Sequence, residues 1–467
     1  MASPAGLTAY NSDNNKLAHD PEKWLPVFGK DHALRKRETS AMMSREQNEQ
    51  LSRVGPGTLM GKLLRRYWAP FLLSSEIPEP DCPPVKVKLM GEALVCFRDS
   101  KGRIGLMDEF CAHRGVSLWF GQNEECGLRC PYHGWKYDVT GQCVDVPSEP
   151  AGNFAKNIKL KSYPCIEKAG IVWAYMGPPE LQPPEPALEW TDVAPEQRFV
   201  TKRLQECNYL QAMEGGIDSS HVSWLHGTEL HKDPLFKGSK GNEYNEKDRM
   251  PIFAVEEFDG GLLIGARRNA DGGKYYWRIT PWIMPWYSII PPRAGHPLGA
   301  HAWVPIDDET CWAWSINYHP KRALTKSEVS AMQDGEGIHV KYVPGTFIPL
   351  ANKSNNYLMD REAQRHGHSS TGVDGIAMQD ASIQESMGAI QDRTKEHLCA
   401  TDAGIVLTRK RLLSAAKAAA EGGEVPATAP KAQRVRSVSV ELDQDTPFTQ
   451  GAKHGLYREL GTDPLSV

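Results

Sequence analysis

The chain has 467 residues, with 54 Lys and Arg against 58 Asp and Glu, for a formal net charge of −4. That length exceeds one compact core, so two domains with terminal extensions are expected, and the near-neutral charge gives no electrostatic footing for a nucleic-acid partner. Ten cysteines are too few for a disulfide scaffold, and no secretory leader or run of 18 apolar residues stands out, so the expectation is a cytoplasmic protein with no membrane segment.

Residues 1–50 are polar and charge-rich with little periodicity and read as an N-terminal arm. From Leu63 to Trp68 the chain turns apolar, and Val85 to Leu89 then alternates apolar with polar at strand period. Ala93 to Arg98 and Ile104 to Met107 flank Asp99-Ser100-Lys101-Gly102, which is hairpin chemistry with a glycine free to take a positive φ. Thr140-Gly141 marks a second hairpin. Residues 51–176 therefore read as a small all-β domain.

Within it, Cys111-Ala112-His113-Arg114-Gly115 is followed by Cys130-Pro131-Tyr132-His133-Gly134-Trp135, with sixteen residues between His113 and Cys130. Each motif offers one thiolate and one imidazole, the ligand set of a Rieske [2Fe-2S] cluster: Cys111 and Cys130 on one iron, His113 and His133 on the other. Neutral imidazoles make the cluster less negative, raising its potential from roughly −400 mV to between about −150 and +300 mV. A Cys2His2 zinc site is the alternative, but zinc fingers usually run Cys-Cys then His-His, whereas here the two types alternate. Gly115 and Gly134 lie where a tight loop needs backbone freedom. Cys126 fits neither motif and reads as a spare or buried thiol.

Residues 177–186, from Gly177 to Pro186, are too proline-rich for a helix or central strand and mark a linker. Beyond it, Ile252 to Val255, Leu262 to Arg268, Tyr275 to Thr280 and Cys311 to Tyr318 read as strands of a larger antiparallel sheet. Ile383, Met387 and Ile390 stand at helical spacing in a helix expected over 380–398, and Asp402 is placed to cap another running to Ala420. Residues 187–421 thus read as an α+β domain. The tail, 422–467, carries Pro426 and Pro430 and reads as a solvent-exposed or subunit-clasping extension.

The second domain opens with Glu214-Gly215-Gly216-Ile217-Asp218-Ser219-Ser220-His221, and His226 follows five residues later. Two His and one carboxylate on one face hold Fe(II) in non-haem oxygenases and leave the opposite positions open. His221 and His226 can supply the imidazoles. Taken alone, two histidines at this spacing are more often ordinary core or surface residues; downstream of a Rieske motif the weight shifts to metal binding.

Together the two motifs resemble the catalytic subunit of the Rieske non-haem iron aromatic-ring-hydroxylating oxygenases. The likeness spans about residues 50–410, and Arg53 to Thr58, Leu64 to Trp68 and Glu214 to His221 are similar to the phthalate dioxygenase group. The resemblance implies an α+β, helix-grip catalytic domain beside the all-β Rieske domain, and a third iron ligand at Asp380. From the residues alone Asp380 is equally an N-cap. It further implies that Asp218 bridges the first iron His to a Rieske His of a neighbouring subunit, in a head-to-tail homotrimer or stacked hexamer. Where some branches carry an Asn near the iron, this chain has Glu214, so no role is transferred to it.

The family chemistry passes electrons from the cluster to the iron, where O2 attacks an arene or C–H bond. No GxGxxG fingerprint in a βαβ setting and no second cysteine set is present, so NAD(P)H oxidation is expected in a separate iron-sulfur flavoprotein reductase. Arg267, Arg268 and Arg278 lie among aromatics. They serve either as structural ion pairs or as a carboxylate clamp for a phthalate- or benzoate-like substrate. Strand alternation prevents Arg267 and Arg268 from entering one pocket together. The expected reaction is cis-dihydroxylation. O-demethylation or other monooxygenation shares the same metal site, and a bare electron carrier would have no use for the roughly 280 residues after the linker.

Overall fold

A computed structural model describes residues 43–149, 153–457 and 461–467. Most of the expected N-terminal arm, residues 1–42, lies outside the described residues. Helix α1 (Arg45–Ser52) starts from a reciprocal cap, in which Ser44 Oγ accepts from the Gln47 N–H and the Gln47 side chain accepts from the Ser44 N–H. Helix α2 (Leu59–Leu64) is capped by Thr58.

Eleven short strands follow: β1 (Ala69–Leu73), β2 (Val85–Leu89), β3 (Glu92–Arg98), β4 (Ile104–Asp108), β5 (Gln122–Glu124), β6 (Gly127–Arg129), β7 (Lys136–Tyr137), β8 (Cys143–Asp145), β9 (Ser162–Tyr163), β10 (Cys165–Lys168) and β11 (Ile171–Ala174). They form antiparallel sheets ordered β1-β11-β10, β2-β3-β4-β9 and β5-β6-β7-β8. The first cluster motif leaves β4 and the second leaves β6, so both are sheet-tip loops as expected. Val95, Phe97, Leu118, Leu128 and Tyr137 pack a small core around Cys111 and Cys130.

The large sheet is antiparallel throughout. It contains β12 (Arg198–Gln205), β13 (Ile252–Phe258), β14 (Gly261–Asn269), β15 (Tyr275–Ile283), β16 (Tyr287–Ile290), β17 (Leu298–Pro305), β18 (Cys311–Tyr318) and β19 (Val438–Leu442), ordered β12-β18-β17-β16-β15-β14-β13 with β19 on β15. Helix α3 (Tyr209–Ile217) packs on β16 and β17, and the long helix Ala403–Ala420 packs on β13 and β14. Buried Trp282, Trp286 and Trp314 belong to a core that continues through Trp173 and Leu63 into the first half. The two halves are pinned by backbone: Met90 and Gly91 N–H groups donate to Pro305 and Ile306 carbonyls at 3.0 and 2.8 Å. The proline-rich stretch is tied down by the Trp68 indole N–H to the Pro183 carbonyl and by Lys168 Nζ to the Pro186 carbonyl, at 3.1 and 2.8 Å.

Three expectations are corrected. The helix placed over 380–398 is Ile376–Ser386, with Gly388 at φ 93° just past its end. Its buried face carries Gln379, Gln384 and Glu385, while Ile383 and Met387 are 41% and 45% exposed, so apolar spacing pointed to the wrong face. Asp380 lies inside this helix, and Gly375 is the N-cap. The tail is no free extension: Val438 to Leu442 completes a strand pair with Ile279 to Tyr275, and the Arg436 guanidinium binds Glu189. Strand β17 escaped detection because all eight of its residues are buried, which erases the alternation. No described helix is long and apolar enough to cross a membrane.

Candidate metal centres and the adjoining cavity

The two cluster loops repeat one backbone pattern. Gly115 and Gly134 N–H groups donate to the Cys111 and Cys130 carbonyls, and the two cysteine N–H groups donate to Val116 and Trp135 carbonyls. Closing each turn requires left-handed glycines, found at φ 73° and 76°. The pattern sinks both thiols and leaves the imidazoles outward. Cys111 and Cys130 are buried, whereas the His113 ring is exposed, lies 4.4 Å from that of His133 and stacks on Trp135 at 4.6 Å. Two converging thiols and two adjacent imidazoles fit a mixed-ligand [2Fe-2S] cluster. Tyr137 Oη accepts from the Ala112 N–H at 3.2 Å, which leaves its proton to donate to Cys111 Sγ, 3.3 Å away. Such a hydrogen bond to a cluster sulfur raises the potential. Phe110, Trp119, Phe120, Tyr132 and Phe154 form an exposed aromatic rim in the same region of the chain. Cys126 sits half-buried in the β5–β6 turn.

The second constellation is built on a turn. α3 ends at Asp218, whose carboxylate accepts from the Ser220 N–H at 2.6 Å and the His221 N–H at 3.3 Å. One helical turn, Val222–Leu225, follows, with His221 at its start and His226 at its end. This places the imidazoles 5.1 Å apart, and Ile376–Ser386 brings in Asp380 from 154 residues further on. Asp380 Oδ1 lies 3.5 Å from His221 Nε2 and 3.2 Å from His226 Nε2, and one ligand atom from each residue lies within 4.8 Å of the others.

The His226 ring is held from behind by a hydrogen bond, and the His221 ring has a carboxylate behind it. His226 Nδ1 is 2.8 Å from Gln379 Oε1, whose amide nitrogen donates to the Val373 carbonyl at 3.2 Å; the amide is thereby oriented and Nδ1 must be the donor. His221 Nδ1 faces Asp218 Oδ2 at 3.4 Å. Each Nε2 faces Asp380. Burial alone would raise the Asp380 carboxyl, but His226 and His221 outweigh it and hold it at about 2. Two imidazoles and one ionised carboxylate converging from one side fit a non-haem iron. Gln379 was not recognised from the sequence as part of this arrangement, since nothing local marks it.

Glu214 points elsewhere. It is buried between Arg409 at 2.6 Å and Arg393 at 3.3 Å, fastening α3 to the long helix Ala403–Ala420. Glu214→Ala is expected to destabilise the fold by about 3 kcal/mol, because buried Arg393 loses its carboxylate partner while Arg409 keeps Glu396 at 2.6 Å. A drop in the denaturant or thermal midpoint checks this.

A cleft with about 600 Å³ of empty space, counting its opening to solvent, adjoins the triad, lined by Arg278, Thr280, Arg293 and His301 together with Leu230, Phe236 and Ile338 among others. Of the arginines expected there, only Arg278 reaches it. Arg267 stacks on Tyr275 at 3.9 Å on the opposite sheet face. Arg268 shares Arg278's face, since Ala266 pairs with Arg278 and Arg268 with Tyr276. Its guanidinium is nonetheless drawn aside by the Asp248 and Ser219 carbonyls and the Ser223 hydroxyl. Arg293, unrecognised in the sequence, lies over Phe236 at 4.6 Å and donates to Asn242 at 2.7 Å. Burial followed by the neighbouring Arg278 charge lowers Arg268 to about 10 and Arg293 to about 9. Arg278 is 3% exposed and has neither an ion pair nor a side-chain hydrogen bond among the described residues; its Nε and Nη1 are buried without partners.

Residues 67–164 match the Rieske [2Fe-2S] domain family and residues 174–442 the LigXa C-terminal domain-like family. The chain is 38% identical to the 3-chlorobenzoate-3,4-dioxygenase oxygenase subunit of Comamonas testosteroni, covering 82% of this chain and 90% of that one. It is 36% identical to the phthalate 4,5-dioxygenase oxygenase subunit of Pseudomonas putida, covering 86% and 93%. Identity is 33% to the 5,5'-dehydrodivanillate O-demethylase oxygenase subunit of Sphingobium sp. (strain NBRC 103272 / SYK-6), covering 80% of each. The crystal structure of dicamba monooxygenase bound to dicamba shares the fold, with a TM-score of 0.54 at 17% identity over 77% of this chain and 99% of that one.

Proposed function

The chain belongs to the Rieske non-haem iron aromatic oxygenases as a terminal oxygenase component, and from that premise we propose that it oxygenates a small arene carboxylate, of the benzoate or phthalate kind, beside an iron held by His221, His226 and Asp380. In this reading Cys111, His113, Cys130 and His133 hold the cluster. When bound, the cluster supplies electrons singly and the iron supplies O2 activation. The protein's own part is to orient and to exclude. Gln379 and Asp218 fix the two imidazoles, Tyr137 donates to the Cys111 sulfur, and Arg278 and Arg293 anchor the substrate acid. Leu230, Phe236 and Ile338 hold the ring and keep out water.

The observation that carries the substrate class is Arg278. A guanidinium that is buried, unpaired and flanked by two more costs several kcal/mol, which an incoming carboxylate offsets by charge-assisted hydrogen bonds. Arg278→Gln is therefore expected to raise KM for carboxylated arenes by roughly 30-fold or more, while the substrate-free protein becomes more stable by about 1 kcal/mol or more. Steady-state kinetics and thermal unfolding in carboxylate-free buffer read the two arms. Equal KM in both proteins would remove Arg278 from the site. Cis-dihydroxylation is the leading reaction. The O-demethylase relative favours aryl-ether cleavage as a second reading, and product assignment over benzoates, phthalates and methoxybenzoates separates the two.

Family oxygenases work with a separate electron donor, and for this chain we propose an NAD(P)H-dependent iron-sulfur flavoprotein reductase. The aromatic rim near the exposed His113 supports a docking role for that end of the Rieske domain, whether for a neighbouring subunit in a homotrimer or for the reductase.

A further inference from the structure

Two histidines from neighbouring strands and loops lie buried beside the cleft, and they differ in one respect. His339 is bonded at both ring nitrogens, to Thr201 Oγ1 at 2.7 Å and Asn317 Oδ1 at 2.9 Å. His301, on β17, is bonded at Nδ1 alone. Its neighbours fix which nitrogen carries the proton. Ser315 Oγ spends its one proton on the Ile338 carbonyl at 2.7 Å and receives Arg203 Nη1 at 3.3 Å, so it has none to offer Nδ1, 3.4 Å away. The remaining partner of Nδ1 is the Trp314 carbonyl at 3.0 Å, which can only accept. His301 is therefore the Nδ1–H tautomer, and Nε2 carries a bare lone pair.

No described residue donates to that lone pair, and the ring lines the cleft that Arg278, Arg293 and the triad share. His301 stands outside the converging metal-ligand group. The cleft thus offers guanidinium donors for an acid and one neutral nitrogen acceptor. An acceptor held this rigidly rewards a ligand that brings a proton and penalises one that covers it without donating.

We infer that His301 is a specificity-determining residue whose Nε2 accepts a hydrogen bond from an O–H or N–H on the substrate ring, so that the site selects protic arene carboxylates such as hydroxybenzoates over their unsubstituted or O-methylated counterparts. The inference rests on the proposed oxygenase cleft and deepens its substrate class.

The test is ligand binding to the metal-loaded, oxidised protein without reductase, by calorimetry. The ligands are 2-, 3- and 4-hydroxybenzoate, their methoxy twins and benzoate, with phenol and anisole as the acid-free pair. At least one hydroxybenzoate is expected to bind about tenfold more tightly than both its methoxy twin and benzoate. In His301→Phe that preference disappears while benzoate affinity changes by less than about threefold. In Arg278→Gln all benzoates weaken together and the preference stays. The inference is overturned if no isomer is preferred by the wild type, or if the preference survives His301→Phe. The wild-type ligand pairs read the interaction even if the variant does not fold. Failure of the carboxylate anchor looks different: benzoates would bind wild type and Arg278→Gln alike, while phenol over anisole still reports on His301.

Discussion

Asp380→Ala is expected to leave the protein coloured by its iron-sulfur cluster and devoid of mononuclear iron, with product formation reduced at least about 100-fold. The helix should survive the change. Asp380 is interior to Ile376–Ser386, it caps nothing, and alanine is the best helix former. What disappears is the only carboxylate within reach of both Nε2 atoms in the described triad, at 3.2 and 3.5 Å. Metal analysis against the cluster's visible absorbance reads the result. Full mononuclear iron in this variant would falsify the triad.

Asp218→Asn is expected to do the reverse, retaining cluster and iron near wild-type levels while turnover falls by about 10- to 100-fold. The asparagine carbonyl still accepts the Ser220 N–H that closes the turn at 2.6 Å, so His221 stays in place. The negative charge beside His221 Nδ1 at 3.4 Å is lost. If Asp218 also receives a cluster imidazole from an adjoining subunit, as the family resemblance implies, an amide cannot hold two imidazoles in the same protonation and orientation. Reduction of the cluster followed by a single turnover measures the transfer directly. Loss of iron in this variant, or an unchanged transfer rate, would show that Asp218 merely supports the His221 turn.

Much of the cluster site was legible because its determinants are local. A Cys, a His two or three residues on and a glycine just beyond specify one turn, and the two turns then need only a sheet to hold them side by side. The His221–His226 pair is legible for the same reason, since both ends of one helical turn lie within six residues. Element boundaries were less so. The strand from Leu298 to Pro305 hides behind uniform burial, and the expected late helix runs twelve residues too far because Met387 and Ile390 keep the spacing beyond Ser386, where the helix ends.

The sequence by itself therefore marked the candidate cofactor chemistry: which thiols and imidazoles are spaced for a Rieske cluster, and which downstream histidines could take a second metal. Tertiary structure decided everything that depends on register and long-range approach. Arg267, Arg268 and Arg278 are alike as residues, and only the pairing of β14 with β15 and the carbonyls that draw Arg268 aside make Arg278 the one of the three that reaches the cleft. Gln379, Arg293 and His301 carry no local signature, because what makes each of them matter is a partner contributed by another element: the His226 ring, the Arg278 charge, the Trp314 carbonyl. Ligand spacing within a turn is fixed by covalent geometry. The shape and charge of the cleft are fixed by which strands meet.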